Sequence, residues 1–214
     1  LEDIQNGTVR SEFNREAFAG YQQKIVFPLN MIDFETCAMA LPFTKGMSPY
    51  ETVAFQFSHH IIHADGKEEW YKYGKTHRED GPAITWSDGS EAWYQNGEYH
   101  REDGPAVIYA NQIEEWWVNG KRHREDGPAY IHASGTKSWY LNGKRHREDG
   151  PAVTYASGTK SWYLNGKYHR EDGPAIIHAS GTKSWYLNGK YHREDGPAVI
   201  GSGGSKWKAW WVNG

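Results

Sequence analysis

The sequence predicts a mainly β protein, an elongated array of antiparallel β-hairpins preceded by a short α/β segment. First, one motif recurs every 23 residues across residues 61–214. Second, each copy is rich in Gly, Pro and Asn-Gly, which disfavours a helix of useful length. Third, composition changes near residue 60, since all seven Phe lie before that point and all eleven Trp lie after it. We therefore expect two parts, residues 1–60 and residues 61–214.

Charge and composition exclude several classes of protein. The 24 Lys+Arg and 27 Asp+Glu give a net charge of −3, which argues against a strongly basic nucleic-acid binder. The single cysteine, Cys37, cannot form an intramolecular disulfide, so we predict a reducing, cytoplasmic location. The sequence lacks the long apolar run that a transmembrane segment needs.

The first part predicts one helix and one buried strand. Asn14 suits the N-cap of a helix over about residues 15–23, which would place its aromatic residues on one face. Met31, Ile32 and Phe34 then suit a buried strand. Sixty residues supply only a small α/β segment.

Two acidic residues on that strand are candidate metal ligands. Asp33 and Glu35 are two positions apart, so both carboxylates would project from one face, roughly 7 Å apart. Such a pair could hold Mg²⁺ or Mn²⁺ for two-metal phosphodiester chemistry. Taken alone, the spacing equally fits two acids on a solvated face.

A longer string around this pair resembles a family of predicted DEDD-type 3′–5′ exonucleases with the RNase H-like fold. The matching stretches are Phe27-Pro28, Ile32-Asp33-Phe34-Glu35-Thr36, Ala40-Leu41-Pro42-Phe43, Pro49-Tyr50-Glu51 and Phe55-Gln56-Phe57-Ser58-His59. The resemblance covers about residues 9–60 and implies that Asp33 and Glu35 are ligands of a catalytic metal. That fold needs further strands and two more carboxylates, so the nuclease-like part is expected to be truncated where the repeats begin.

The second part contains six to seven repeats. The 23-residue spacing is carried by tryptophans at Trp70, Trp93, Trp116, Trp139, Trp162 and Trp185. Six copies of His-Arg-Glu-Asp-Gly-Pro-Ala begin at His77, His100, His123, His146, His169 and His192. A period of this length indicates one supersecondary unit per repeat, with each unit contacting mainly its neighbours.

Each repeat is predicted to form one hairpin and one polar connection. A two-residue turn at Ser157-Gly158 would pair Val153 with Trp162 and place both on one apolar, Trp-rich face. Residues 165–174 would form the return connection. Two strands per repeat then advance the ribbon by roughly 10 Å.

The repeat resembles the MORN family, whose units have about the same length and build elongated β-hairpin arrays. The shared features are Asn-Gly-Lys-x-His followed by a Gly and by an Asp-Gly or Ser-Gly turn before the next aromatic strand. This chain departs from the family after the His, where it carries Arg-Glu-Asp-Gly-Pro. The resemblance implies a scaffold that contacts other proteins.

Several functions fit these observations. We expect a non-enzymatic scaffold or binding module without a cofactor, which binds a protein partner or self-associates through the six repeat tryptophans. The tryptophans could equally be the core of the ribbon, and the His-Arg-Glu-Asp copies a ladder in which Arg pairs with acids of the next repeat. The first alternative is a Mg²⁺- or Mn²⁺-dependent exonuclease, or its remnant, which would act on nucleic acid through Asp33 and Glu35. The second is carbohydrate binding by aromatic stacking.

Overall fold

The fold is known from a computed structural model that describes residues 28–38, 52–202 and 208–214, with the backbone alone for residues 33–38 and 52–57. All regular secondary structure in these residues is β, which confirms the predicted class. None of the described residues belongs to a helix that could span a membrane. The helix predicted over residues 15–23 lies outside the described residues.

One long antiparallel sheet runs through the molecule. It begins with β1 (Leu29–Ala38), β2 (Thr52–Ile62) and β3 (Glu68–Lys72), and β4 (Lys75–Thr76) pairs with β3 beside the main path. Two-residue strands continue it: β5 (Ile84–Thr85), β6 (Glu91–Ala92), β9 (Val107–Ile108), β10 (Glu114–Glu115), β13 (Tyr130–Ile131), β14 (Lys137–Ser138), β17 (Val153–Thr154), β18 (Lys160–Ser161), β21 (Ile176–Ile177), β22 (Lys183–Ser184), β25 (Val199–Ile200) and β26 (Lys208–Ala209). Each repeat therefore adds two strands to the sheet, as predicted.

Each repeat also forms a second hairpin beside the sheet. These lateral hairpins are β7 (Tyr94–Gln95) with β8 (Glu98–Tyr99), β11 (Trp117–Val118) with β12 (Lys121–Arg122), β15 (Tyr140–Leu141) with β16 (Lys144–Arg145), β19 (Tyr163–Leu164) with β20 (Lys167–Tyr168), and β23 (Tyr186–Leu187) with β24 (Lys190–Tyr191). The turn at Asn165-Gly166 has φ values of 52° and 85°, as a two-residue hairpin turn of the I′ type requires. The prediction of a single hairpin per repeat was therefore wrong, because part of the supposed return connection pairs with the strand before it.

The first hairpin of each repeat closes through a longer loop than predicted. Tyr155 N donates to the Thr159 carbonyl at 2.9 Å, Gly158 N donates to the Tyr155 carbonyl at 2.9 Å, and Gly158 has φ of 88°. This is a three-residue loop in which a left-handed Gly forms a bulge. Val153 consequently pairs with Ser161 instead of Trp162. A shift of one residue changes which side chains lie opposite one another, so the predicted pairing of Val153 with Trp162 on one face was wrong.

The residue rows that cross the sheet define its two faces. We call one row the inner column; it alternates Ile or Val with smaller or polar residues and includes Val107, Ser138, Val153, Ser161 and Ile176. These five side chains are between 1% and 8% exposed. The core of the molecule therefore lies along this face.

Aromatic residues of the lateral hairpins cover the inner column. Val153 belongs to a buried cluster with Ala152 and Tyr163, against which Trp139 and Tyr168 pack. Tyr163 and Tyr168 have ring centroids 4.3 Å apart, and Tyr168 lies 5.0 Å from Tyr186 of the next repeat. The aromatic rings thus form a ladder along the ribbon, and their mutual contact supplements the burial of apolar area.

Arginines replace tyrosines in the middle of this ladder. The Arg145 guanidinium donates to the hydroxyl oxygens of Tyr140 and Tyr163 at 3.2 and 3.3 Å. Arg122 bonds Glu115, which is 7% exposed, at 2.9 Å. The planar guanidinium can stack and donate several hydrogen bonds at once, so these substitutions preserve the packing.

The N-terminal strands belong to the same sheet as the repeats. Strand β2 continues without a break through residue 60, and its His60 pairs with Trp70 of the first repeat. The two rings stack with centroids 3.9 Å apart. The abrupt change in sequence at residue 60 therefore has no matching break in the hydrogen-bonded ladder.

Candidate protein-binding site

The predicted tryptophans form a regular row beside the inner column, and Trp139 packs against the buried cluster that contains Val153. Trp70 lies within β3, and the other five follow a sheet strand directly. Each is hydrogen-bonded to the alanine that precedes the next sheet strand; Trp162 N, for example, donates to the Ala175 carbonyl at 2.8 Å. Ala175 is fully buried and Trp162 is half-buried. The tryptophans are therefore held in register by the sheet and alternate with alanines too small to separate them.

Each tryptophan is covered by the arginine eight residues later in the same repeat. The Arg170 Cζ lies 4.1 Å from the centroid of a Trp162 ring, and the five equivalent distances range from 4.0 to 4.2 Å. Arg170 also donates from Nε to Asp172 Oδ1 at 2.8 Å and from Nη1 to the Pro174 carbonyl at 3.4 Å. Arginine thus pairs with an acid of its own connection, which corrects the predicted ladder between neighbouring repeats.

The glycine of each connection makes room for this arginine. An ideal Cβ on Gly127 would lie 2.9 Å from Arg124 Cζ, closer than carbon atoms can approach. At Gly173 the corresponding distance to Arg170 Cζ is 3.2 Å. The glycine in Arg-Glu-Asp-Gly therefore leaves room for the guanidinium, which a Cβ at this position would displace.

Histidines join one repeat to the next. The backbone N–H of Asn165 donates to Nδ1 of His146 at 3.2 Å, and the same bond links Asn188 to His169 at 3.3 Å. The same Nδ1 lies 3.1 Å from Asn165 Oδ1, and the other ring nitrogen, Nε2, lies 3.6 Å from Glu148 Oε1. These nitrogens are already used, so the histidines serve architecture.

The acids of the connections project into solvent. Glu148 and Glu171 are each 83% exposed, and Asp149 and Asp172 are 81% and 80% exposed. The Arg170 guanidinium holds the pKa of Asp172 below its usual range by hydrogen bonding and by its charge. With neutral His, every Arg-Glu-Asp copy carries a net charge of −1, so six copies form an acidic stripe.

Grooves lie between successive connections. Five of them, one between each neighbouring pair, have volumes of about 560 to 930 Å³. The groove between residues 147–151 and 169–172 is walled by acids and arginines and is lined by Trp162 and Leu164. Each groove therefore combines an apolar wall with exposed carboxylates, at one constant period.

Sequence reasoning found the tryptophans but missed what they contact. It expected Trp70, Trp93, Trp116, Trp139, Trp162 and Trp185 to form a face shared with Val153, whereas each is offset by one position from the inner column and lies beneath an arginine. The constant spacing of eight residues between Trp and Arg was the available signal. This spacing predicts a contact between the Trp and the Arg only when the lateral hairpin is known, because that hairpin reverses the chain between the two residues.

The proposed metal ligands lie in strand β1. Asp33 pairs with Ser58 and Glu35 with Gln56, just before an irregularity between Glu35 and Thr36. Their side chains are outside the described part of the structure, so the metal-site prediction stays a prediction. Among the described side chains, no three of His, Cys, Asp and Glu are placed to hold a metal ion.

Comparison with known families gives one match. A family model described as Domain of unknown function (DUF2779) matches residues 30–116. The matched region includes strand β1, the junction at residue 60 and the first repeats, and it is less than half of the 214 residues. No curated protein matches the sequence. The chain is thus similar to this family over its N-terminal strands and early repeats, and the family description states no activity.

Proposed function

We propose that this protein is a non-enzymatic binding module whose acidic grooves hold an extended, Lys- and Arg-rich segment of a protein partner. The observation that carries the proposal is the repetition of one groove, with the same chemistry, at five successive positions along the sheet. A linear array of equal sites suits a linear ligand. The resemblance of the repeat to MORN units supports a scaffold role.

The groove matches the chemistry of basic side chains. Glu148 and Glu171 stand at its rims, and among the described residues each has one ion-pair contact, with a His Nε2 atom 3.6 Å away. Leu164 and Trp162 offer an apolar wall along which the aliphatic stem of a Lys or Arg can lie. A basic segment would therefore satisfy both the acidic rim and the apolar wall.

Repetition also argues against catalysis at the connections. A catalytic centre needs one asymmetric set of groups with perturbed proton affinity. Here each Arg is committed to a Trp and an Asp, and five of the six also donate to a Pro carbonyl. Each His Nδ1 from His77 to His169 accepts a backbone N–H. The connections are thus built as equivalent structural and binding units.

Binding can be tested with a fluorescent peptide of about ten Lys and Arg residues, which would span several grooves at 3.3 Å per extended residue. The triple variant Glu125→Gln, Glu148→Gln, Glu171→Gln should weaken binding about tenfold, at roughly 0.5 kcal/mol for each exposed charge pair. The matched control carries Glu68→Gln, Glu91→Gln and Glu114→Gln on the sheet face. Equal weakening by both variants would show attraction to net charge alone and would contradict the proposal.

A metal-dependent nuclease is the second candidate function, favoured by the position of Asp33 and Glu35 in one paired strand. It predicts Mn²⁺-dependent degradation of single-stranded DNA or RNA that the double variant Asp33→Ala, Glu35→Ala abolishes. Carbohydrate stacking is less favoured, because a guanidinium already covers one face of each repeat tryptophan. The absence of nuclease activity, or activity that the double variant retains, would leave the binding module as the function of the chain.

A further inference from the structure

A second surface runs along the sheet face opposite the inner column. We call its central eleven residues the outer column; they pair directly across successive strands from Glu68 to Lys183, and the same row continues to Ile62 and Leu29 on one side and to Ile200 and Lys208 on the other. Every second residue is charged, and those between are Thr85, Ile108, Ile131, Thr154 and Ile177. None of the eleven residues is buried. The column is therefore an open strip, about 50 Å long at 4.8 Å per strand.

The charge of this strip changes sign at its midpoint. The first three charged positions are Glu68, Glu91 and Glu114, and the next three are Lys137, Lys160 and Lys183. Apart from Glu68, which contacts His60 at 3.1 Å, none of these six enters the salt bridges formed among the described residues. One half of the strip is thus acidic and the other basic, and five of the six charges form no salt bridge within the described part of the chain.

The order of residues is complementary to its own reverse. Ile131 lies at the centre, and reversing the strip about it places Glu114 over Lys137, Glu91 over Lys160 and Glu68 over Lys183. The same operation places Ile108 over Thr154 and Thr85 over Ile177. A two-fold axis through Ile131 would therefore match each of these six charges with its opposite, as an isologous interface requires, and would place Lys208 over Leu29.

We propose that two copies of this protein associate face to face through the outer column, antiparallel, with Ile131 on the two-fold axis. A parallel arrangement would place like charges over one another and is disfavoured. Eleven residues from each copy are fewer than the roughly 20–30 a side of a standard interface. The dimer should therefore dissociate in the micromolar range and be sensitive to salt. This surface is separate from the acidic grooves, so the inference stands independently of the proposed function.

Sedimentation equilibrium of the whole chain tests the proposal. In about 50 mM salt the wild type should dimerise, and about 500 mM salt should weaken the dimer at least about tenfold. The variant Lys137→Glu, Lys160→Glu and the variant Glu91→Lys, Glu114→Lys should each be monomers, weakened at least about 100-fold by like-charge contacts. All four positions are half-buried or exposed, so circular dichroism should show an unchanged fold.

Two further measurements separate this interface from general charge effects. Mixing the two variants should restore association as a heterodimer, and combining all four substitutions in one chain should restore the homodimer, because the reversed order is again self-complementary. The control Glu148→Lys, Glu171→Lys lies on the connections and changes the net charge by the same amount as Glu91→Lys, Glu114→Lys. It should leave the dimer intact. A wild type that stays monomeric at several hundred micromolar, or a dimer that survives both charge reversals, would overturn the proposal.

Discussion

Removing one arginine stack should destabilise the ribbon measurably. In Arg170→Ala the protein loses the guanidinium 4.1 Å above Trp162 and the hydrogen bond to the Pro174 carbonyl at 3.4 Å. A partly desolvated cation–π contact contributes about 0.5–2 kcal/mol and a hydrogen bond of this kind about 0.5–1.5 kcal/mol. The exposed pair with Asp172 adds little in water. We therefore expect the free energy of unfolding to fall by about 1–3 kcal/mol.

Urea unfolding followed by circular dichroism and by tryptophan fluorescence measures this loss. Arg170→Lys should recover only a small part of it, because an ammonium group cannot stack as a plane and donate in a fork. The neighbouring Glu171→Ala is the matched control; its side chain is 83% exposed, and we expect a change within about 0.5 kcal/mol. If Arg170→Ala and Glu171→Ala were equally mild, the arginine stack would not be a source of stability.

Three further predictions test the register, the glycine and the acid sensitivity of the fold. Val153→Ala should lower the free energy of unfolding by about 2 kcal/mol, because it removes two buried carbons and leaves a cavity. The control Thr154→Ala, on the open face, should lower it by well under about 1 kcal/mol. Equal unfolding midpoints for the two variants would contradict the observed register. Gly127→Ala should displace Arg124 from Trp116 and change tryptophan fluorescence; an unchanged spectrum would show that the arginine needs no such room. Because Arg170 lowers the folded-state pKa of Asp172, this pair stabilises the fold above the unfolded-state pKa of about 3.9 and loses its effect as pH falls below it. The midpoint of unfolding should therefore fall as the pH is lowered below about 4, and it should fall by less in Asp172→Asn. Identical pH profiles of the wild type and this variant would count against a contribution from the pair.

The sequence by itself determines the class and the period of the fold. Tryptophans 23 residues apart, with Asn-Gly and Asp-Gly-Pro at constant offsets, leave little choice but a β repeat. The positions of the turns also predict the two strands that each repeat adds to the main sheet. The apolar residues Val153 and Ile176 likewise mark the core without any structure. These features are local, so each copy of the repeat reports them again.

Only the tertiary structure decided which side chains lie on which face of the sheet. Ser157-Gly158 fits both a two-residue turn and a three-residue loop with a bulged Gly, and the two differ by one residue in register. The longer loop is the one that places Val153 beneath Tyr163 and frees Trp162 for its arginine. Packing between the sheet and the lateral hairpin selects the three-residue loop. This packing brings together parts of the chain whose relative position depends on both turns.

The same reason explains why the proposed sites could not be read from the sequence. The six charges of the outer column stand 23 residues apart within each sign, and their positions are plain in the sequence. They become one strip only when pairing aligns Glu114, Ile131 and Lys137 on neighbouring strands. Sequence determines which residues recur and how often, whereas the register of pairing, set by packing across the whole sheet, decides which of them meet.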